Sequence, residues 1–490
     1  MLQRLKSGWP TLASVALYSL AFPPTNLGFL ILVALVPWLN HLRTMTPKQA
    51  FWSGLAFGMM FYLFQMFWIV PFVGRWTSVG MALIPWALCP LIGGWYFAVV
   101  GWLLQKCFAK NVAWLIPLVW AGVEAGRSYF PLLAFPWGLA ATPLWFIPHL
   151  IQSAALGTIF MVSAWVVLVN VTLANLFVRT VDPKPGKKGP KMERVTGRMV
   201  FVAASVLILS VYRYTQGSPG ENVRIGVGQP GVDLAFQTRD KQEQGLEQEV
   251  PWLAEQAVEK ECRLLVLPEG LTFGGDSIPP RTPFLGNPPL PTLIGGQRGR
   301  SPSYQSAYAF SDGKWSYADK TRLVIFGEFV PFREYLPFLS GFRLPTGDLK
   351  EGDWVRAVEL GGIKVGPLVC FEALFPNIAQ AQTDNGSRLL AVMSNDDWYM
   401  DSNAPEQLKA ASIFRAVESG LPLVRAASNG YTLAVDSRGR VLGQVPVRTT
   451  RLLVSEVPIP ASSDAFRFRW VFPWLCAGVI VFVLVWRRDL

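Results

Sequence analysis

The chain has 490 residues, 51% hydrophobic and only 16% charged, and its mean hydropathy is positive, which excludes an ordinary soluble enzyme as a description of the whole. Its formal net charge of +11 sits mainly in short loops beside apolar segments, a pattern of membrane topology rather than of nucleic-acid binding. Five cysteines form no CxxC pair, so no disulfide framework is expected, and the only two histidines, His41 and His149, lie in the apolar first half. The more polar second half therefore holds no Ser-His-Asp or Cys-His pair and no His-built zinc site.

Residues 8–24, 26–42, 50–70, 79–103, 111–129, 151–178 and 198–214 each supply the roughly 17 to 25 mainly apolar residues that a bilayer-spanning helix needs, and 470–486 supply an eighth. Pro10, Pro23 and Pro24 interrupt the first two, and the connection at 25–28 is short, so these two read as a helical hairpin that turns at the outer surface. The first segment has no small-residue cleavage site and is expected to be a retained helix rather than a signal peptide. Lys and Arg accumulate at one set of ends: Arg4 and Lys6, Arg43 and Lys48, Lys106 and Lys110, the run from Arg179 to Arg198, and Arg487 and Arg488. Positive loops stay in the cytoplasm, so both termini are expected there. The predicted division is a membrane domain over 1–216, an outer domain over 217–465 and a last helix with a cytoplasmic tail over 466–490.

Within 217–465 short β-type runs at 223–227, 263–267, 304–310, 364–370, 388–394, 421–426 and 431–435 alternate with helical patterns, notably at 246–260 and 406–419. Strands interleaved with helices predict an α/β layer architecture.

Three polar residues of this domain stand beside an apolar run or at its end: Glu269 in LLVLPEG, Lys320 in YADKTRLVIFGEF and Cys370 in VGPLVCFEALFP. Strand ends hold side chains rigidly while leaving them open to a substrate. Without histidine, a carboxylate must take the thiol proton, while a fixed ammonium favours the thiolate and meets the oxyanion of acyl transfer. Cys, Glu and Lys can share those tasks.

These three contexts, with SNDDW at 394–398, resemble the nitrilase superfamily. With seven apolar segments before and one after, the whole chain resembles the apolipoprotein N-acyltransferase family, whose E-x-x-R and FPW elements are matched by Glu124, Arg127 and Phe135-Pro136-Trp137. The resemblance implies about eight transmembrane helices and a nitrilase-like αββα sandwich. It also implies a bacterial inner-membrane enzyme with its catalytic domain on the periplasmic side.

The implied reaction is ping-pong. Glu269 takes the thiol proton, and Cys370 attacks the ester of a membrane phospholipid, releasing lysophospholipid and leaving a thioester. The amino group of the diacylglyceryl-modified N-terminal cysteine of an apolipoprotein then attacks the thioester. Lys320 and the backbone N–H of Phe371 form the implied oxyanion hole, and Glu328 orients Lys320 or Glu269. Glu372, Asn395 and Trp398 are supporting candidates. Phe371 stands where the family commonly has Tyr. No cofactor is implied, because an ester carries its own leaving group. The alternative is a membrane-tethered, nitrilase-like amidase with water as acceptor.

Glu124 and Arg127 lie about one turn apart on the fifth expected helix, where ionisable groups are costly and are expected to pair. The apolar, loop-like stretch 335–342 is predicted to dip into the outer leaflet, with Phe338 and Phe342 gating lipid entry.

Overall fold

The computed structural model describes residues 2–75, 77–130, 134–181, 190–272, 278, 281–284, 286–333, 335, 344, 347–399 and 401–486. Phe338 and Phe342 lie outside the described residues. The chain forms two compact units: one comprises Met1–Ile69, Leu83–Gln216 and Phe466–Leu490, the other Val70–Ala82 and Gly217–Ala465.

The first unit is helical. Its apolar segments become α1 (Leu2–Ala21), α2 (Val36–Leu42), α3 (Pro47–Gln65), the greater part of α5 (Val79–Ala109), α6 (Ile116–Tyr129) and α7 (Pro148–Ile151), while the short α4 (Ile69–Gly74) and the first residues of α5 fall almost wholly in the Val70–Ala82 segment of the other unit. The series ends with α8 (Ala154–Val181) and α9 (Pro190–Thr215). Among the described residues, three helical stretches are long and apolar enough to cross a membrane: Val79–Ala109, Ala154–Phe177 and Arg194–Thr215. The expected count of eight such helices is therefore met by three. The expected span at 26–42 divides into a 3-10 turn, Gly28–Leu32, and the seven-residue α2. The one at 111–129 begins with a 3-10 turn and keeps only the 14 residues of α6 as α-helix. Hydropathy registers an apolar run whether or not its backbone is one continuous helix, and local breaks shorten these two.

Helices α3 and α5 approach closely, because a Cβ on Gly54 would come within 2.1 Å of the Phe97 carbonyl oxygen. Inside α6, Glu124 accepts from Trp120 Nε1 (2.9 Å) and Ala140 N (2.8 Å). Arg127 donates to Tyr62 Oη (2.8 Å) and to the carbonyls of Phe135, Trp137 and Gly138. The E-x-x-R pair therefore ties down the 135–140 loop, whose backbone groups have little water to satisfy them.

The second unit is built on two six-stranded sheets. In chain order the strands are β1 (Glu221–Gln229), β2 (Leu264–Val266), β3 (Thr292–Arg298), β4 (Tyr304–Ser311), β5 (Lys314–Asp319) and β6 (Val358–Leu360). They continue with β7 (Ile363–Val369), β8 (Leu389–Ser394), β9 (Leu423–Ala427), β10 (Leu433–Val435), β11 (Val441–Gln444) and β12 (Arg451–Ile459). One sheet has the order β12-β1-β2-β3-β4-β5, the other β11-β10-β9-β8-β7-β6. β1, β2 and β3 pair in parallel, as do β7, β8 and β9.

Alternation along each strand directs one set of apolar side chains between the sheets. Ile225, Val227, Leu264 and Val266 of one sheet share a buried core with Val365, Val369, Ala391, Met393 and Val424 of the other. The opposite set, Leu265, Leu267 and Ile294, packs on Leu246, Val250, Leu253 and Ala257 of α10 (Arg239–Glu259). Helices α11 (Pro376–Asp384) and α12 (Ala404–Ser419) pack on the second sheet, at β7 and β9. This is the expected sandwich of two sheets between helices. Sequence reading missed β3, whose LIGGQ run is diluted by two glycines, β5, whose KWSYAD alternates at a sheet edge, and also β6, β11 and β12. A last helix, α13 (Val471–Val485), belongs to the first unit, where α6 packs against it.

Candidate active site

The parallel strands converge their carboxyl ends on one place, the usual position for a site in α/β sheets. β7 ends at Val369, and Cys370 follows with a φ of +53°, the left-handed region that a β-carbon disfavours. Such a conformation costs on the order of 1–3 kcal/mol and persists only where its surroundings enforce it. A 3-10 turn, Cys370–Leu374, begins at the cysteine. β2 runs into Leu267, Pro268 and Glu269, and β3 carries Gly295 against that turn, where a Cβ would lie 2.7 Å from Glu269 Cα. β5 delivers Lys320, whose N–H donates to the Gln305 carbonyl (2.7 Å) and whose carbonyl accepts from Gly352 (2.7 Å). Just before it, Asp319 is held by Arg298 Nε (2.9 Å), Arg298 Nη2 (2.6 Å) and Ser306 Oγ (2.6 Å).

Glu269, Lys320 and Cys370 are all buried in this cluster. The Glu269 carboxylate acts electrostatically on the Cys370 thiol and accepts from the Asn395 backbone N–H (3.2 Å). Burial, opposed by the Lys320 charge, pushes its carboxyl up to about 7. The Cys370 thiol is pushed up to about 12, by burial and then by the Glu269 carboxylate. It is therefore held as a thiol that must lose its proton as it reacts. Lys320 is fully buried, which works against its charge, yet Glu328 and then Glu269 hold its ammonium above the ordinary lysine range. Its Nζ lies 2.6 Å from Glu328 Oε1, while the other Glu328 oxygen accepts from Val324 N (2.9 Å). A carboxyl near neutrality, a buried thiol that feels its charge and a fixed cation acting on both make general-base-assisted attack on an acyl carbon chemically feasible.

The supporting candidates have distinct places. Glu372 accepts from Thr321 N, Thr321 Oγ1, Arg322 N and Val369 N at 2.7 to 3.2 Å, and burial, countered by those donors, raises its carboxyl above the ordinary value. The Asn395 side chain accepts from Ser428 Oγ (3.0 Å) and Asp397 N (3.2 Å), so its backbone, not its amide, reaches Glu269. Phe371 packs edge-on against Phe375, with ring centroids 5.3 Å apart. Trp398 packs edge-on against Phe72 at 6.4 Å.

Comparison with known proteins adds a second line. Residues 14–172 match the apolipoprotein N-acyltransferase N-terminal domain, and 291–464 match carbon-nitrogen hydrolase. The apolipoprotein N-acyltransferase of Geobacter metallireducens is 29% identical over 97% of this chain and 94% of its own length. That of Pseudomonas putida is 26% identical over 99% of this chain and 98% of its own. The chain is a homologue of the apolipoprotein N-acyltransferases. A crystal structure of an amidase from Nesterenkonia sp. aligns with 52% of the chain and 97% of its own, at 19% identity and a TM-score of 0.36. In this apolipoprotein N-acyltransferase homologue the hydrolase match includes Lys320 and Cys370, and Glu269 lies upstream of it.

Sequence reading missed four residues around the thiol. Tyr399 Oη lies 3.1 Å from Cys370 Sγ. Ser394 Oγ lies 3.5 Å from the same sulfur and donates to Asp396 Oδ1 at 2.7 Å. Asp396 forms a fully buried pair with Arg425, at 2.8 and 2.9 Å. Asp396 and Tyr399 were on view within and directly after SNDDW, but an aromatic beside Trp398 reads as packing, and Arg425 gives no local signal at all.

Proposed function

We propose that this protein is a membrane-bound acyltransferase that carries an acyl chain from a phospholipid, through a Cys370 thioester, to the N-terminal amine of a diacylglyceryl-cysteine apolipoprotein. The observation that carries the reading is the end-to-end similarity to proteins named for that activity, over 97% of this chain and 94% of a relative. The cluster of Glu269, Lys320 and Cys370 supports the chemistry. Glu269 accepts the thiol proton as Sγ attacks the ester carbonyl, and the oxyanion is met by Lys320 and the Phe371 N–H. The proton then goes to the leaving glycerol oxygen, and lysophospholipid departs. In the second half-reaction the amine adds to the thioester, Glu269 takes its proton, and the C–S bond breaks. Glu328 and Glu372 position Lys320, and Asn395 and Trp398 shape the surroundings.

The membrane domain, 1–216, and the last helix, 466–490, span the bilayer in about eight passes with both termini cytoplasmic. The catalytic domain, 217–465, then works on the periplasmic side, and 335–342 with Phe338 and Phe342 forms the lipid entry. The test is to reconstitute the protein in phospholipid vesicles with a diacylglyceryl-cysteine peptide. The peptide should gain one amide-linked acyl chain. Release of free fatty acid without modified peptide would instead favour an amidase-like hydrolase.

A further inference from the structure

The Cys370 sulfur has two hydroxyl neighbours, and they are not equivalent. Ser394 carries one hydroxyl hydrogen. Asp396 Oδ1 lies 2.7 Å from Ser394 Oγ, against 3.5 Å for the sulfur. Asp396 is itself held by two hydrogen bonds from the Arg425 guanidinium. The Ser394 hydrogen is therefore committed to the carboxylate. Tyr399 Oη, at 3.1 Å from Sγ, is the hydroxyl placed to donate to sulfur.

The geometry points to Tyr399 as a further catalytic residue, a phenol that donates a hydrogen bond to the Cys370 sulfur whenever that sulfur carries negative charge. Its place is fixed by packing. The ring lies 6.2 Å from that of Phe72, on the Val70–Ala82 segment that belongs to the same compact unit, and its carbonyl accepts from Ser402 Oγ at 2.6 Å. Burial foremost, and then the charge of Cys370, raise its hydroxyl well above the ordinary tyrosine value. It therefore stays a donor throughout the working pH range. The charged groups acting on the sulfur are Glu269, Lys320 and Arg425, with Asp396 acting on Tyr399 itself. Among these only Lys320 and Arg425 are cationic, and each is already paired with a carboxylate.

The inference rests on the thioester reading of Cys370 and assigns Tyr399 to both half-reactions. As Sγ–H gives its proton to Glu269 and Sγ bonds to the acyl carbon, the donor stabilises the growing thiolate character. Once the thioester exists, its sulfur is a poor acceptor and the contact weakens. When the amine has added, the C–S bond breaks, its electron pair returns to sulfur, and Tyr399 again donates to it. Glu269, protonated by the amine, then restores the thiol. The phenol moves no proton of its own.

The test is the pH dependence of iodoacetamide alkylation of Cys370 in the full-length, detergent-solubilised protein with no lipid acceptor, a readout independent of what the enzyme acylates. Tyr399→Phe keeps the ring and should move the alkylation profile upward by about one pH unit, slowing reaction at neutral pH about tenfold. Replacing Tyr399 by 3-fluorotyrosine, a stronger donor of the same shape, should move it the opposite way. A preformed thioester on Tyr399→Phe should also react with an amine more slowly. Profiles that overlay the unmodified protein for both variants, with unchanged thermal unfolding, overturn the role. Loss of peptide acylation with a normal profile shift would leave it standing and strike at the acceptor.

Discussion

Glu372 accepts two hydrogen bonds from Thr321, one from its backbone N–H at 2.7 Å and one from its hydroxyl at 2.9 Å. Its other oxygen takes Val369 N at 2.8 Å. One carboxylate thus fastens the residue after Lys320 to the residue before Cys370, although 50 positions separate the two catalytic candidates.

That brace gives the first prediction. Glu372→Gln leaves one acceptor oxygen where two served and turns an NH2 group toward N–H donors. A lost hydrogen bond to a buried charged group costs about 1.5–3 kcal/mol. Thermal melting in detergent should fall by several degrees, and thioester formation should slow because Lys320 and Cys370 are no longer held together. Unchanged melting with unchanged acylation would contradict the brace.

Glu269 predicts the pH profile. Its carboxyl is pushed up to about 7, chiefly by burial, and only the deprotonated form can take the thiol proton. Thioester formation should therefore rise as pH increases from 5 and level off above about 7. Single-turnover acylation with a fluorescent phospholipid reads this directly. Glu269→Gln should remove the rising limb and cost at least a hundredfold, within the range of a lost general base.

For Lys320 and Glu328, stability and activity should separate. Removing one partner of a buried pair leaves an uncompensated charge, at about 3–5 kcal/mol. Lys320→Met alone should destabilise the protein and abolish thioester formation. Adding Glu328→Gln should recover much of the melting temperature while activity stays absent. Recovery of both would show that Lys320 is only structural.

In the helical unit, Arg127 reaches Tyr62 Oη and three backbone carbonyls. A lysine ammonium has three donors and no planar fork. Arg127→Lys should lower thermal stability, and trypsin should then cleave faster, without changing the iodoacetamide reactivity of Cys370 in protein that remains folded.

Which parts of this were legible follows from the range of each interaction. Glu269, Lys320 and Cys370 stand out because each ends or adjoins an apolar run, and strand ends write themselves into local sequence. Glu372 was visible beside the cysteine, but its partner Thr321 was not. Asp396 and Arg425 pair across 29 positions, and β12 pairs with β1 across the whole domain; pairing of that kind leaves no local pattern. Val70–Ala82 holds most of α4 and the start of α5 and yet belongs to the sheet-bearing unit, which hydropathy cannot express. The α-helices within the apolar segments at 26–42 and 111–129 are shortened for the opposite reason, since the apolar character of these segments is continuous and their backbone is not.

The central claim is the thioester, and intact-protein mass spectrometry measures it most directly. Protein incubated with a phospholipid of defined chains should gain the mass of one fatty acid less water. Peptide mapping should place it on Cys370, hydroxylamine should remove it, and a diacylglyceryl-cysteine peptide should discharge it with the acyl chain appearing on the peptide amine. Cys370→Ala should show no adduct. Full transfer to the peptide by Cys370→Ala, or an adduct on another residue that discharges at the same rate, would contradict the account.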